Sequence, residues 1–295
     1  MKNKKYLFKT LYFLILFLQF TFVLSDELKF EAATIETSKN GNLIKGFGGV
    51  EINDNVNLTL TGEEFQYNKL DMQLSVKDNV LIRDKFNKNL IKSKMITFNK
   101  KLNIINIPDK AIIEIDGGYL IEGSNITFDR NLNLIISNNK TLITDLYENK
   151  FYMHTFSYSI IDKILIAENV KITDIDKNVY EVQNIRFNLK TNEIIGKDLS
   201  LNFNSENKSS GKNEPRLRGN AIFYNKNSTK ISKGVFTTCK KEDNCPPWTL
   251  SAEKIEHNKI KKTINYKNAF LKLYDVPVFY FPKFFHPDPS VKRQS

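Results

Sequence analysis

The chain has 295 residues, 44 of them Lys or Arg against 33 Asp or Glu, and a formal net charge of +11. That length is ample for one sizeable core. The surplus Lys is spread along the chain and never gathered into a basic, aromatic-interleaved groove signature, which argues against nucleic-acid binding; solvation and protection of strand edges is its default role, and attraction of anionic ligands the second.

Residues 1–25 read as a secretory signal peptide. Met1 to Lys5 is basic, Tyr6 to Leu24 is apolar apart from Lys9, Thr10, Gln19 and Thr21, and Val23 and Ser25 stand at the −3 and −1 positions of a cut before Asp26. This predicts export. An uncleaved anchor is the alternative, because the apolar stretch approaches spanning length. The segment holds four Lys and no acid, so its removal leaves a milder basic excess.

From position 26 onward one pattern recurs eight times at a nearly fixed period. Its units start at Ile35-Glu36-Thr37, Phe65-Gln66-Tyr67, Ile96-Thr97-Phe98, Ile126-Thr127-Phe128, Phe156-Ser157-Tyr158, Ile185-Arg186-Phe187, Ile222-Phe223-Tyr224 and Ile255-Glu256-His257, at intervals of 30, 31, 30, 30, 29, 37 and 33. A period of this size marks stacked supersecondary units. Within each start the apolar residues alternate with polar ones, which predicts strands with one buried face. Asn, Asp and Lys clusters follow them and read as hairpin turns. A second strand falls midway, at Val50-Glu51-Ile52, Val80-Leu81-Ile82, Ile113-Glu114-Ile115, Thr141-Leu142-Ile143 and Val170-Lys171-Ile172. Each unit is thus expected to hold a few short antiparallel strands that extend shared sheets.

Gly is sparse and falls at expected turns or bulges (Gly46-Phe47-Gly48-Gly49, Gly117-Gly118, Gly123, Gly196). The stretch from Asn204 to Pro215 is a polar loop, which accounts for the one interval of 37. Beyond the leader no helical period is sustained. The expected fold class is all-β: an elongated open β-jellyroll of two facing antiparallel sheets with an apolar groove. A parallel β-helix is the competing architecture, but units of this length with hairpin turns suit the antiparallel stack better. One continuous domain is expected, with repeats over 26–235 and, over 236–295, the last strands and a transition.

Chemistry is hard to find. His154, His257 and His286 lie in different units, and none has a partner carboxylate at useful spacing. Acidic residues such as Glu36, Glu51 and Glu114 sit singly on outward strand positions. Paired carboxylates, a phosphate loop, a Gly-x-Ser-x-Gly turn and metal spacing are all lacking, so neither an enzyme nor a cofactor is expected. Cys239 and Cys245 form an even count in an oxidising compartment and are a candidate disulfide. What remains is the apolar interior. Between closed sheets it is ordinary packing; between splayed sheets it can hold acyl chains, at roughly 0.8 kcal/mol per buried methylene. Alternation assigns Phe65, Tyr67, Ile96, Phe98, Ile126, Phe128, Phe156, Tyr158, Ile185 and Phe187 to its wall, and a slip of a single position in any unit would turn that unit's set outward.

The stretch from Phe236 to the end of the chain carries ordered motifs: Phe236-Thr237-Thr238-Cys239, Cys245-Pro246-Pro247-Trp248-Thr249-Leu250-Ser251-Ala252, Ile264-Asn265-Tyr266-Lys267-Asn268-Ala269, Val276-Pro277-Val278-Phe279-Tyr280-Phe281-Pro282 and His286-Pro287-Asp288-Pro289-Ser290-Val291-Lys292-Arg293-Gln294-Ser295. They resemble the LptD (OstA, Imp) family of lipopolysaccharide-assembly proteins, and the upstream units resemble that family's OstA-type jellyroll repeats. The resemblance implies a periplasmic domain at the outer membrane. Such a domain accepts lipopolysaccharide acyl chains from the bridge protein LptA by edge-strand pairing and passes them to an outer-membrane barrel associated with the lipoprotein LptE. It places the LptA-facing edge around Ala32 to Val50. It also implies barrel strands after this region, none of which occurs before Ser295, and in the family cysteines of this domain can pair with cysteines of the barrel. An LptA-like bridge, or a scaffold without its own lipid, is the alternative function.

Overall fold

The computed structural model describes residues 28–54, 56–86, 88–115, 117–204, 214–240, 246–288 and 291. The expected leader, Cys245 and most of the 204–215 loop lie outside the described residues. Five long strands come first: β1 (Lys29–Ser38), β2 (Leu43–Asn53), β3 (Leu58–Asn68), β4 (Gln73–Asp84) and β5 (Asn89–Asn99). Eight short ones follow: β6 (Ile104–Ile107), β7 (Ala111–Ile115), β8 (Tyr119–Gly123), β9 (Ile126–Asp129), β10 (Leu134–Ser137), β11 (Thr141–Thr144), β12 (Lys150–Met153) and β13 (Thr155–Ser159). Eight long strands complete the chain: β14 (Ile164–Thr173), β15 (Val179–Asn188), β16 (Glu193–Asn202), β17 (Arg216–Tyr224), β18 (Ser228–Thr237), β19 (Trp248–Asn258), β20 (Thr263–Leu273) and β21 (Val276–Pro287). All 21 belong to one hydrogen-bonded sheet, and every pairing in it is antiparallel, which rules out a parallel β-helix for the described residues.

Most of the units are built from long strands, not the short ones expected, and each long strand changes phase at its middle. In β15, Tyr180 and Val182 are buried and Glu181 exposed; Gln183 and Asn184 are both exposed; then Ile185 and Phe187 are buried around exposed Arg186. β14 repeats this around Glu168 and Asn169. Two exposed residues in succession reverse the parity, so both halves of the strand can face one interior only if the strand folds over. Every second long strand puts a left-handed residue there: Gly48 and Gly49 (φ 81° each), Asp78, Asn79, Asn169, Asp198, Lys233 and Asn268. Gly, Asn and Asp, which make up all but one of these, adopt that conformation most cheaply.

At the centre of the chain the bend becomes a break. β5 pairs with β6 through one half and with β7 through the other, and β12 and β13 both pair with β14. Two layers result. Layer one contains β6, β9, β10, β13 and the halves of the long strands continuous with them; layer two contains β7, β8, β11, β12 and the remaining halves. A rung is one traverse of both layers, and an up–down pair of rungs makes one repeat unit. The inward faces meet: Phe151 of layer two stacks on Phe187 of layer one at 5.1 Å between ring centroids, and Tyr180 meets Tyr224 edge-on at 5.8 Å. Within layer one the packing is close as well: a Cβ on Gly46 would come within 2.1 Å of the ring of Phe65, its partner on the neighbouring strand.

Among the described residues the stack has two free edges. β1 pairs only with β2, so the N-terminal edge is 29–38; Val50 belongs to β2, which is paired on both sides. β21 pairs only with β20. It carries Pro277, Pro282 and Pro287, residues that a sheet tolerates at an edge because they lack an N–H to donate.

Candidate functional site

The interior between the layers is the most extensive apolar feature of the molecule. Nine of the ten wall positions assigned from alternation are buried, with Ile96, Phe98, Ile126, Tyr158 and Phe187 at 1% exposure or less; Tyr67 is half-buried, with Phe30 packed 5.3 Å from it. All ten lie in layer one. Their opposite wall in layer two includes Ile52, Leu60, Ile82, Ile113, Ile121 and Phe151, likewise buried. That second wall is what alternation left unassigned. Its signal is present in the sequence as the pair of polar residues at mid-strand, after which the buried parity restarts. Along this stretch the chain's own side chains fill the space between the walls.

The layers are joined covalently on one long side, at the bends. On the other side, where the turns lie, two lips meet through side chains. Arg130, in the β9–β10 turn, forms an ion pair with Asp54 and donates hydrogen bonds to Asn57 Oδ1 and Asn103 Oδ1, both at 3.0 Å. Asp54 is held ready for it: Oδ1 accepts the backbone N–H groups of Val56, Asn57 and Leu58. Tyr119 donates to the carbonyl of Leu189 at 3.1 Å. Lys226 Nζ lies 4.8 Å from the Tyr147 ring centroid, and Lys259 Nζ lies 3.9 Å from that of Tyr224 and 5.9 Å from that of Tyr180.

These four contacts share one geometry. The layer-one turns are β9–β10, β15–β16, β17–β18 and β19–β20. Their partners lie at the layer-two turns β2–β3, β7–β8, β11–β12 and β14–β15. In each case the layer-two turn is the one five rungs earlier. The layers are therefore skewed, as expected when two twisted sheets pack face to face. A skew leaves an overhang at the end. In the last rungs of layer two the inward positions pass from buried (Leu217, Phe236, Leu250) through half-buried (Trp248, Leu271, Phe281) to open, with Phe279 at 64% and Leu273 at 46% exposure. The apolar inward face thus comes out into solvent beside β21.

Lys259 is the most perturbed cation in this seam. Burial first lowers its ammonium pKa to about 8, against the opposing pull of Asp174, Asp176, Asp145 and Asp288. The phenols of Tyr180 and Tyr224 are raised by burial and then by Asp174, so they stay protonated over the same range. The unfolded chain holds the lysine proton up to about 10.5. Between about 8 and 10.5 the unfolded state carries the extra proton, so stability rises with pH across that window. Carbon-13 NMR of the Lys259 Cε is expected to give a midpoint near 8; an ordinary lysine midpoint would mean that this amine is not desolvated.

The histidines behave differently from the expectation that none has a carboxylate partner. His257 is buried, and its Nε2 meets Asp288 Oδ2. These two are far apart in sequence, and it is the course of β19 through β21 that brings them together. His286 shares a hydrogen bond of 2.8 Å with the Tyr266 hydroxyl, and burial lowers its pKa. His154 is exposed. The described residues contain no group of three or more His, Cys, Asp or Glu that could hold a metal ion. Cys239 is half-buried, its Sγ 3.8 Å from the carbonyl of Trp248; the expected partner Cys245 lies outside the described residues. No protein-family model matches the chain, and no curated protein sequence matches it.

Proposed function

We propose that the protein is a non-enzymatic carrier of lipopolysaccharide, taking the acyl chains between its two layers and passing them on at the outer membrane. The observation that carries this reading is the continuity of the inward apolar face. It runs from β1, where Ile35 is exposed, through every rung, and is uncovered again beside β21, where Leu273 and Phe279 face solvent. Acyl chains would enter by displacing contacts of the turn-side seam, which is polar and side-chain mediated, while the bends hold the layers together. The free β1 edge, 29–38, is the surface on which a bridge jellyroll such as LptA would add its strand. The β21 end is the side toward an outer-membrane barrel and LptE.

A second reading is supported by the contacts across the layers. The Phe151–Phe187 and Tyr180–Tyr224 pairs fill the interior, as they would in a periplasmic bridge or scaffold that carries no lipid of its own. Photo-crosslinking separates the two. A crosslinker in place of Phe98 or Phe128 is expected to capture lipopolysaccharide, and one at outward Thr97 or Thr127 is not. Equal capture from both faces, or none from either, sinks the carrier reading.

A further inference from the structure

The tips of the turns are apolar where turns are ordinarily polar. On layer one Leu70, Leu102, Leu132, Ile161 and Ile260 stand at 55–75% exposure, each at the tip of its turn. The first four follow one another at the repeat period itself. Scattered exposed leucines need no explanation, but the first four recur on every second rung, about 10 Å apart along one lip. Each tip is accompanied by cations. Lys69, Lys100, Arg130 and Lys163 occupy these turns, and Lys190 and Lys226 continue the row through turns without an apolar tip. The facing lip also has apolar tips, Val56, Phe86, Leu146 and Ile175, but it differs in its charge. Its carboxylates Asp54, Asp84, Asp145 and Asp174 each use Oδ1 to accept backbone N–H groups of their own turns.

At Arg130 a cleft of about 430 Å³ opens at the lip, lined by Lys100, Lys101, Arg130, the carboxylates Asp54 and Asp84 of the facing lip, and the buried rings of Phe98 and Phe128. The guanidinium sits 5.6 Å from the Phe98 ring centroid. Lys100 and Lys101 make no ion pair among the described residues. Free ammonium groups, an apolar tip and the edge of the interior therefore lie within one turn.

We propose that the layer-one lip is a binding rail for a single anionic, acylated lipid: its Lys and Arg residues hold a phosphate on the headgroup while the Leu and Ile tips hold the first methylenes of the chains. The proposal deepens the carrier reading and rests on it. A phosphate gives charge complementarity with the lip, and the chains explain why the same turns expose leucine. The cleft at Arg130 is the station from which chains reach Phe98 and Phe128.

The test uses the full chain and a fluorescent acylated glucosamine disaccharide bisphosphate below its aggregation concentration. Lys100→Gln/Lys101→Gln and, separately, Leu102→Ser/Leu132→Ser change exposed or half-buried side chains and are expected to fold normally. The lysine pair is expected to weaken binding on the order of tenfold. Removing the phosphates from the probe should weaken binding to the wild type similarly and leave binding to the lysine variant nearly unchanged. The leucine pair is expected to weaken both probes. Wild-type affinity retained in both variants, with crosslinking at Phe98 intact, overturns the rail and leaves the carrier reading standing. Binding of inorganic phosphate as tightly as of the lipid overturns it as well. So does preference for intact anionic vesicles over the monomeric probe, which would make the lip a membrane-contact surface. No binding of either lipid probe by the wild type overturns rail and carrier together.

Discussion

Phe187→Ala is expected to destabilise the protein by about 3–5 kcal/mol, the range for truncating a fully buried aromatic residue. Phe187 is 1% exposed. It is also where the layers meet: its ring stacks on Phe151 and takes the edge of Tyr119 at 5.7 Å. Removing it opens a cavity between two sheets that the bends hold on one side only. It also loosens Tyr119, whose hydroxyl reaches the carbonyl of Leu189 across the seam. Urea unfolding at constant m-value measures the loss. Its neighbour Arg186 is exposed, and Arg186→Ala should stay within about 0.5 kcal/mol of wild type. A Phe187→Ala loss under about 1 kcal/mol would mean that the interior is not packed as described.

Arg130→Met is expected to cost about 3–5 kcal/mol, because it leaves the carboxylate of Asp54 buried without its counter-charge. Asp54 has a side-chain exposure of 4% and Arg130 of 13%, so solvent screens the pair weakly. The same change strands Asn57 and Asn103, which both accept from the guanidinium. Asp54→Asn combined with Arg130→Met should recover much of the loss, since the buried charge goes with its partner while the amide oxygen can still accept from the turn. The measurement is a double-mutant cycle by chemical denaturation. Additive single effects, with no coupling, would show that the two lips are not joined here.

The carrier reading and the seam place opposite demands on these residues. A passage for acyl chains requires the lips to part, and stability requires them to meet. On the carrier reading, polar latches spaced along one side would satisfy both, because an anionic headgroup would take the place of Asp54 as the partner of Arg130. A continuous apolar seam would have no such exchange. For this reason the lip variants of the binding assay avoid Arg130 and use Lys100, Lys101, Leu102 and Leu132, whose side chains do not support the fold.

Much of this architecture is local in origin and can be read from the chain. Alternation around Thr97 or Arg186 tells which residues face inward, because a strand has period two whatever surrounds it. Asn, Asp, Gly and Lys recurring at the repeat period mark the turns, because only some residues adopt those backbone conformations cheaply. The inward positions of layer one and the all-β class follow from these two facts. The walls' closure, the five-rung skew, the pairing of Arg130 with Asp54 and of His257 with Asp288, and the uncovering of Phe279 do not. Each depends on how far one layer has turned over the other, a sum of small twists over many rungs that no single turn or strand encodes. Periodicity also cannot tell a residue buried against the opposite wall from one facing a groove, since both are apolar at the same position; only the approach of Phe151 to Phe187 distinguishes them.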